Sequence, residues 1–239
     1  MAQRFSGKVV LVAGGTGGLG NAVSLAFLKE DATTVVTYRK EEEFVRLQQA
    51  AGAGASLLAG YRADVTDEDA VNGLVNHVLG EHGHLDAMVN AVGGYVGGVK
   101  LWELQTKEFD QMLALNLRAG YALSRAAIAP MLKQRQGSIV NVAAKAALDH
   151  AAGASAYAAS KAAALAMMDS LAADVKGSGV RVNSILPSII DTEVNRSSMP
   201  GANFAMWPKP DDIARVVLFL CSEEAKAIHG AAIPVYGNS

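Results

Sequence analysis

Two features of this 239-residue chain combine residue types and spacings that can do chemistry. The first is Tyr157-Ala158-Ala159-Ser160-Lys161. On a helix, positions i and i+4 share a face, so the ammonium of Lys161 would lie beside the phenol of Tyr157. A neighbouring cation favours the charged form of a phenol and lowers its pKa. Tyr157 could then donate a proton near neutral pH, which an unperturbed tyrosine with pKa about 10 does poorly. The second feature is Ala13-Gly14-Gly15-Thr16-Gly17-Gly18-Leu19-Gly20. Its glycines let the backbone turn tightly and approach a pyrophosphate, whose charge then sits on the N-terminus of the following helix.

A third segment bears on which dinucleotide would bind. The second apolar run ends Thr37-Tyr38-Arg39-Lys40, with no acid before Glu41. An acidic residue there would hydrogen-bond an adenine ribose and repel a 2′-phosphate. Arg39 can instead grip a 2′-phosphate through a charge-assisted, bidentate contact. NADP(H) is therefore favoured over NAD(H); the other reading of Arg39 is a solvated loop arginine beside three glutamates.

Such residues need rigid elements to hold them. Short apolar runs at 9–13, 33–38, 56–61, 85–90, 138–142, 180–186 and 232–235 read as strands. Between them lie helical patterns, among them 67–80, 109–134, 154–177 and 210–221. Helix starts are signalled at Thr66-Asp67-Glu68 and at Lys209-Pro210-Asp211-Asp212. Continuous apolar strands alternating with helices predict a parallel sheet buried on both faces. The expectation is one α/β domain over 1–239, a Rossmann-type, doubly wound, seven-stranded parallel sheet with helices on both faces. Residues 188–208 form the one long stretch without clear structure, and they read as a substrate loop.

Composition narrows the classes. With 51% hydrophobic and 18% charged residues and a formal charge of −2, the chain suits a large core and not disorder. The balance of 21 basic and 23 acidic residues gives no face for nucleic acid and no polybasic membrane anchor. The charge-free stretch 9–28 is long enough to span a bilayer, but its glycine cluster reads as a turn, and no signal-peptide pattern is present. One cysteine, Cys221, excludes an internal disulfide and a cysteine-based zinc cluster and points to a reducing, cytoplasmic setting. His77, His82, His84, His150 and His229 are scattered, so no metal is expected.

Taken together, the motifs resemble the short-chain dehydrogenase/reductase family over essentially the whole length. The matching features are the Gly14–Gly20 turn, Asp64-Val65, Asn90, Asn116 in Leu115-Asn116-Leu117, Tyr157-xxx-Lys161 and Pro187-x-x-Ile190-x-Thr192. The resemblance implies that Tyr157 donates the proton and that Lys161 binds the nicotinamide ribose and lowers the tyrosine pKa. It implies that Asn116 helps hold a relay water, that Asp64 meets the adenine and that Thr192 meets the carboxamide. The implied cofactor contacts are Gly14, Thr16, Gly18, Leu19, Gly20, Arg39, Asp64, Val65, Asn90, Ala91 and Gly93, then Tyr157, Lys161, Pro187, Ile190 and Thr192. In this family the helices flanking the fifth strand commonly form a subunit interface, which implies a homodimer or homotetramer.

The pattern breaks at one reacting group. The family's serine, thirteen residues before the tyrosine, is replaced here by Ala144. Milder departures are Ala13 for threonine, Ala91-Val92 within the Asn-Asn-Ala-Gly motif, and Ser188 for glycine. The stretch Ala144-Lys145-Ala146-Ala147-Leu148-Asp149 resembles dihydropteridine reductases, a subgroup that also lacks the serine. Gly93-Gly94-Tyr95-Val96-Gly97-Gly98 agrees, as does Asp191-Thr192-Glu193-Val194-Asn195-Arg196-Ser197-Ser198-Met199-Pro200, continuing through Phe204 to Trp207. The resemblance implies reduction of a quinonoid dihydropterin, with Tyr95, Ala144 and Trp207 as the candidate substrate residues. A conjugated acceptor of that kind needs a hydride and a proton but forms no alkoxide, so the serine matters less. Two rivals stay open: a reductase of another carbonyl or quinone-like acceptor, and a non-catalytic NADP(H)-binding sensor or scaffold. Lys145 and Asp149 read equally as substrate-facing or as a solvated pair.

Overall fold

The computed structural model describes residues 3–239; Met1 and Ala2 lie outside it. Seven parallel strands build one sheet: β1 (Val9–Ala13), β2 (Thr33–Tyr38), β3 (Leu58–Arg62), β4 (Ala87–Asn90), β5 (Gly137–Val142), β6 (Val180–Pro187) and β7 (Ala232–Val235). Their spatial order is β3-β2-β1-β4-β5-β6-β7. The chain thus winds outward one way from β1 to β3, then crosses back and winds the other way from β4. In the register, Val12 pairs with Val36 on one side of β1 and Ala13 pairs with Asn90 on the other. At the reversal, the connections after β1 and β4 diverge and leave a crevice beyond the C-terminal strand ends.

Alternate strand residues face opposite sides and create two cores. Val10, Val12, Val36, Val89 and Val140 point to one face. There they meet α1 (Gly18–Lys29), α2 (Glu41–Ala51) and α8 (Pro210–Cys221) through side chains such as Phe27, Leu47 and Val217. Leu11, Val35, Met88, Ile139 and Val182 point to the other face. Here they meet α3 (Glu68–His82), α5 (Ala119–Gln134) and α6 (Ser155–Asp174), among them Leu74, Leu123 and Met168. Burial on both sides holds for β1, β4 and β5, which are covered throughout. The edge strands β3 and β7 are half exposed.

The expected doubly wound α/β sheet is what the chain forms, with several boundaries corrected. Residues Gly52–Leu57 make a 3₁₀ turn, so the third strand begins at Leu58 and not at 56; the fourth begins at Ala87 and not at 85. The helix expected at 109–134 is two helices: α4 (Thr106–Leu113) and α5, joined by a π turn at Ala114–Arg118. A π turn widens the backbone by one residue and re-aims the side chains in it, and Asn116 is one of them. The helix expected to run to 177 stops at Asp174, because Gly177 and Gly179 take positive φ and lead into β6. Residues 188–208 are not featureless: they carry α7 (Glu193–Ser198) and a 3₁₀ turn at Phe204–Met206.

The start signalled around Asp67 is a true cap: its carboxylate accepts hydrogen bonds from the amides of Asp69 and Ala70. Asp67→Ala should lower stability by about 1 kcal/mol, read as a drop in the thermal midpoint without loss of activity.

Candidate active site

The glycine turn follows β1 as expected. Gly14 sits at φ 73°, in the left-handed region that favours glycine, and its amide donates to Thr37 Oγ1 at 2.8 Å. Thr37 thus anchors the turn from β2, a contact that no spacing rule in the sequence marks. A side chain at Gly15 would meet Val36 at 2.6 Å, so α1 can lie close on the sheet. Gly17 stands at the N-cap of α1, which has no side-chain cap and no acidic residue in its first turn. The leading amides are therefore left for an anion.

Around this turn lies a cleft of about 160 Å³, lined by Thr16, Arg39, Glu43, Asp64, Val65 and Gly93 with their neighbours. The Asp64 carboxylate accepts from the amide and hydroxyl of Thr66 at 2.9 and 2.7 Å, and these bonds hold its pKa below the usual carboxylate value. The neighbouring Arg39 lowers it further. Asn90, at the end of β4, is buried; its amide donates to Asn141 Oδ1 at 2.9 Å and its oxygen accepts from Val92 N. Ala91 N donates to Ala13 O, tying the strand ends together across the crevice.

The π turn directs Asn116 into the protein, where it is 2% exposed. Its Nδ2 donates to Gly94 O and to Ser160 Oγ, both at 3.0 Å, and its Oδ1 accepts from Gly94 N. Ser160 in turn donates to the carbonyl of Tyr157 at 2.8 Å. This links α6 to the loop after β4 through Ser160, a residue that sequence reasoning passed over inside the Tyr–Lys motif. Gly93 runs between the two elements: a side chain there would meet Asn116 Oδ1 at 2.9 Å and Lys161 Nζ at 3.3 Å.

Lys161 is buried, and its ammonium donates to Val142 O, at the end of β5, at 2.9 Å. Burial lowers its pKa to about 8. An ammonium has three donors, so a buried one with a single bond retains donors for a ligand. The expectation that Lys161 lowers the pKa of Tyr157 is corrected: burial, reinforced by Tyr95, pushes the phenol up to about 12. The lysine is tied to the β5 carbonyl, and desolvation disfavours the phenolate more than any neighbouring charge favours it. The Tyr95 ring packs edge-on against Tyr157 with centroids 4.9 Å apart, and Tyr95 itself is 66% exposed.

Other candidates take varied places. Ala144 is buried in extended backbone after β5, with no hydroxyl to offer. Pro187 ends β6, and Ile190 packs against the core shared with α1. Thr192 caps α7 through its hydroxyl, and its methyl lies where a side chain at Gly18 would be, 2.9 Å away. The loop after β6 is thereby brought to the glycine turn. Leu19 is buried at the start of α1, facing its core. Trp207 is buried, its ring 5.0 Å from that of Phe204, which also carries the Arg196 guanidinium at 4.9 Å. Lys145 and Asp149 stand 3.7 Å apart on the surface, with the ammonium 5.3 Å from the Tyr236 ring centre. Among the described residues no cluster of three His, Cys, Asp or Glu side chains could hold a metal. No described helix is long and apolar enough to cross a membrane.

A larger cavity, about 650 Å³, opens at the other end of the sheet. Its cations largely serve the fold: the Arg181 guanidinium donates to the carbonyls of Leu220 and Ser222 at the C-terminus of α8. The chemistry-bearing side chains instead converge on the crevice at the strand reversal.

With that geometry in place, comparison with known proteins decides the family. The short chain dehydrogenase family matches residues 8–203. The chain belongs to it. Among its relatives, 3-oxoacyl-(acyl-carrier-protein) reductase FabG of Thermotoga maritima is 31% identical, with 99% of each chain covered. Cyclopentanol dehydrogenase of Comamonas testosteroni is 33% identical, with 98% of each covered. Among solved structures, ElxO with NADP bound superposes with TM-score 0.91 at 28% identity, covering 96% of this chain and 97% of that one. Membership makes this short-chain dehydrogenase an oxidoreductase, and its seven-stranded sheet is the family's.

The depressed pKa of Lys161 has a consequence for stability. Between pH 8 and 10.5 the unfolded chain holds the proton more firmly than the folded one, so this group makes stability rise with pH across that window. Below pH 8 the cost of burying the charge is present in full. Lys161→Met should therefore be more stable than the wild type at pH 7, and the advantage should shrink towards pH 10.5 in denaturant titrations. An advantage that stayed constant would contradict the charge-burial account.

Proposed function

We propose that this short-chain dehydrogenase is an NADPH-dependent reductase of a quinonoid dihydropteridine-like acceptor. The observation that carries the reading is a half-buried phenol, Tyr157, flanked by the exposed Tyr95 ring, in a site whose position 144 has no hydroxyl. Such a site can give up a proton to an acceptor nitrogen, but it lacks the hydroxyl that would polarise an isolated ketone. The resemblance of 144–149, 93–98 and 191–207 to dihydropteridine reductases supports the same acceptor.

A nicotinamide dinucleotide fits the residues present: an uncapped α1 N-terminus for the pyrophosphate, and a buried Lys161 with spare donors for a ribose. NADP-bound ElxO supports a dinucleotide in this fold, and Arg39 at the end of β2 favours the phosphorylated form. When bound, the reduced cofactor supplies the hydride. The chain does the rest. The first-turn amides of α1 hold the pyrophosphate, and Arg39 and Asp64 hold the adenosine end. Lys161 orients the ribose with the donors its bond to Val142 O leaves free, while the phenolic proton of Tyr157 moves to the acceptor. Asn116, fixed between Gly94 and Ser160, joins the loop after β4 to α6 and so sets the position of Tyr157. Tyr95 offers an exposed ring beside that phenol for a flat heterocycle.

A second reading, reduction of another carbonyl or quinone-like acceptor, is favoured by relatives named as alcohol dehydrogenases and a 3-oxoacyl reductase. Assembly through α5 and α6 into a homodimer or homotetramer, and residence in a reducing cytoplasm, belong to the same proposal; light scattering would test the former.

In an assay that generates the dihydropterin in situ, NADPH oxidation should depend on the pterin and run faster than with NADH, while simple ketones stay inert. Tyr157→Phe should cut turnover by about a hundredfold, the usual scale for loss of a general acid, and leave NADPH affinity nearly unchanged. Turnover with ketones alone would move the assignment to the second reading.

A further inference from the structure

The adenosine end of the cleft carries charges of both signs, and one of them comes from an unexpected element. No acid stands at the end of β2, but α2 begins immediately after it with Glu41, Glu42 and Glu43 in its first turn. Glu43 lines the same cleft as Arg39 and Asp64. Its carboxylate accepts from the hydroxyl of Thr16, within the glycine turn, at 3.2 Å, and lies 3.8 Å from Lys40 Nζ.

This position is built rather than incidental. Tyr38, the last residue of β2, stacks on Phe44 with centroids 4.9 Å apart and planes 8° from parallel. Phe44 and Leu47 are buried, and the Phe44 ring occupies the space that a side chain at Gly60 would need. The first turn of α2 is thus clamped against β2 and β3, and Glu43 faces the turn with its side chain about two-thirds buried, at 30% exposure. The N-terminus of a helix also favours a carboxylate there. Asp64 lines the same cleft with one carboxylate oxygen, Oδ1, taken by Thr66 and the other left for a ligand. Arg39 is exposed and has no ion-pair partner among the described residues.

We propose that Glu43 is a cofactor-selecting residue that works against Arg39. A 2′-phosphate at this end of the cleft gains from the Arg39 guanidinium and is repelled by the Glu43 carboxylate. A free ribose hydroxyl reverses both terms: it gains little from Arg39 and can donate to Glu43. The chain then accepts both dinucleotides, and the balance between residues 39 and 43 sets how far it prefers the phosphorylated one. The inference rests on dinucleotide binding in this cleft and is independent of the acceptor.

The test is the dissociation constant of NADPH and of NADH for the full chain, measured by nicotinamide fluorescence without any acceptor. Glu43→Gln, which keeps the shape and removes the charge, should shift the affinity ratio towards NADPH by about fivefold, the upper range for a partly exposed charge pair. Arg39→Gln should shift it towards NADH. Glu43→Ala should move in the same direction as Glu43→Gln, and thermal melts of each variant would report its folding. A wild type that binds both cofactors, with a ratio unchanged or moved towards NADH in both Glu43 variants, would overturn the role of Glu43 and leave the functional reading intact. A wild type that binds neither would instead remove the functional reading.

Discussion

The reversal of strand order between β1 and β4 is the constraint on which the site depends. Parallel strands must be joined by crossovers, and right-handed crossovers place the helices on alternate faces according to the direction of winding. Where that direction changes, the loops after β1 and β4 leave in opposite senses and cannot cover the strand ends between them. The crevice follows from topology and not from any side chain. The pairing of Ala13 with Asn90, and the bond from Ala91 N to Ala13 O, hold its two lips in register. The glycine turn, Asn90 and Gly93 lie along this edge because each ends or follows one of those strands.

Electrostatics in the crevice are set by how deeply each group is buried. Lys161 and Tyr157 share a helix face, but the ammonium gives one of its three donors to a strand carbonyl and both groups are desolvated. Each is therefore driven towards its neutral form: the lysine down to about 8 and the tyrosine up to about 12. At neutral pH the phenol therefore keeps its proton, and the lysine has lost most of its margin above that pH. At the outer end of the cleft the groups are more exposed, and Arg39 and Glu43 bring opposite charges to its lining.

Asn116 shows how the helical layer serves the site. Its contacts require a π turn between α4 and α5, because a continuous α-helix would re-aim the side chain. The resulting bonds to Gly94 and Ser160 fasten the loop after β4 to α6, so the tyrosine's helix and the crevice lip are tied together. The absence of a hydroxyl at Ala144 leaves this network intact, since no bond in it passes through that position.

Much of this was legible along the chain. Apolar runs fixed the strands to within two residues, because a buried parallel strand must be apolar on both sides. Strand–helix alternation fixed the class of sheet, and the glycine turn, the Tyr157–Lys161 spacing and the cap at Asp67 are local geometry that short-range sterics dictate. Other features depended on residues far apart in sequence. Thr37 supports Gly14 from the neighbouring strand, Ser160 meets Asn116 across 44 positions, and Glu43 reaches Thr16 only because Tyr38 and Phe44 stack. Spacing alone does not set the direction of the Tyr157 shift, since i and i+4 say that two groups are neighbours but not what else each one touches or how much water is left around it. The sequence by itself determined the elements and the reacting groups; burial and the sharing of donors between segments, which set their charge states, were decided by the tertiary structure.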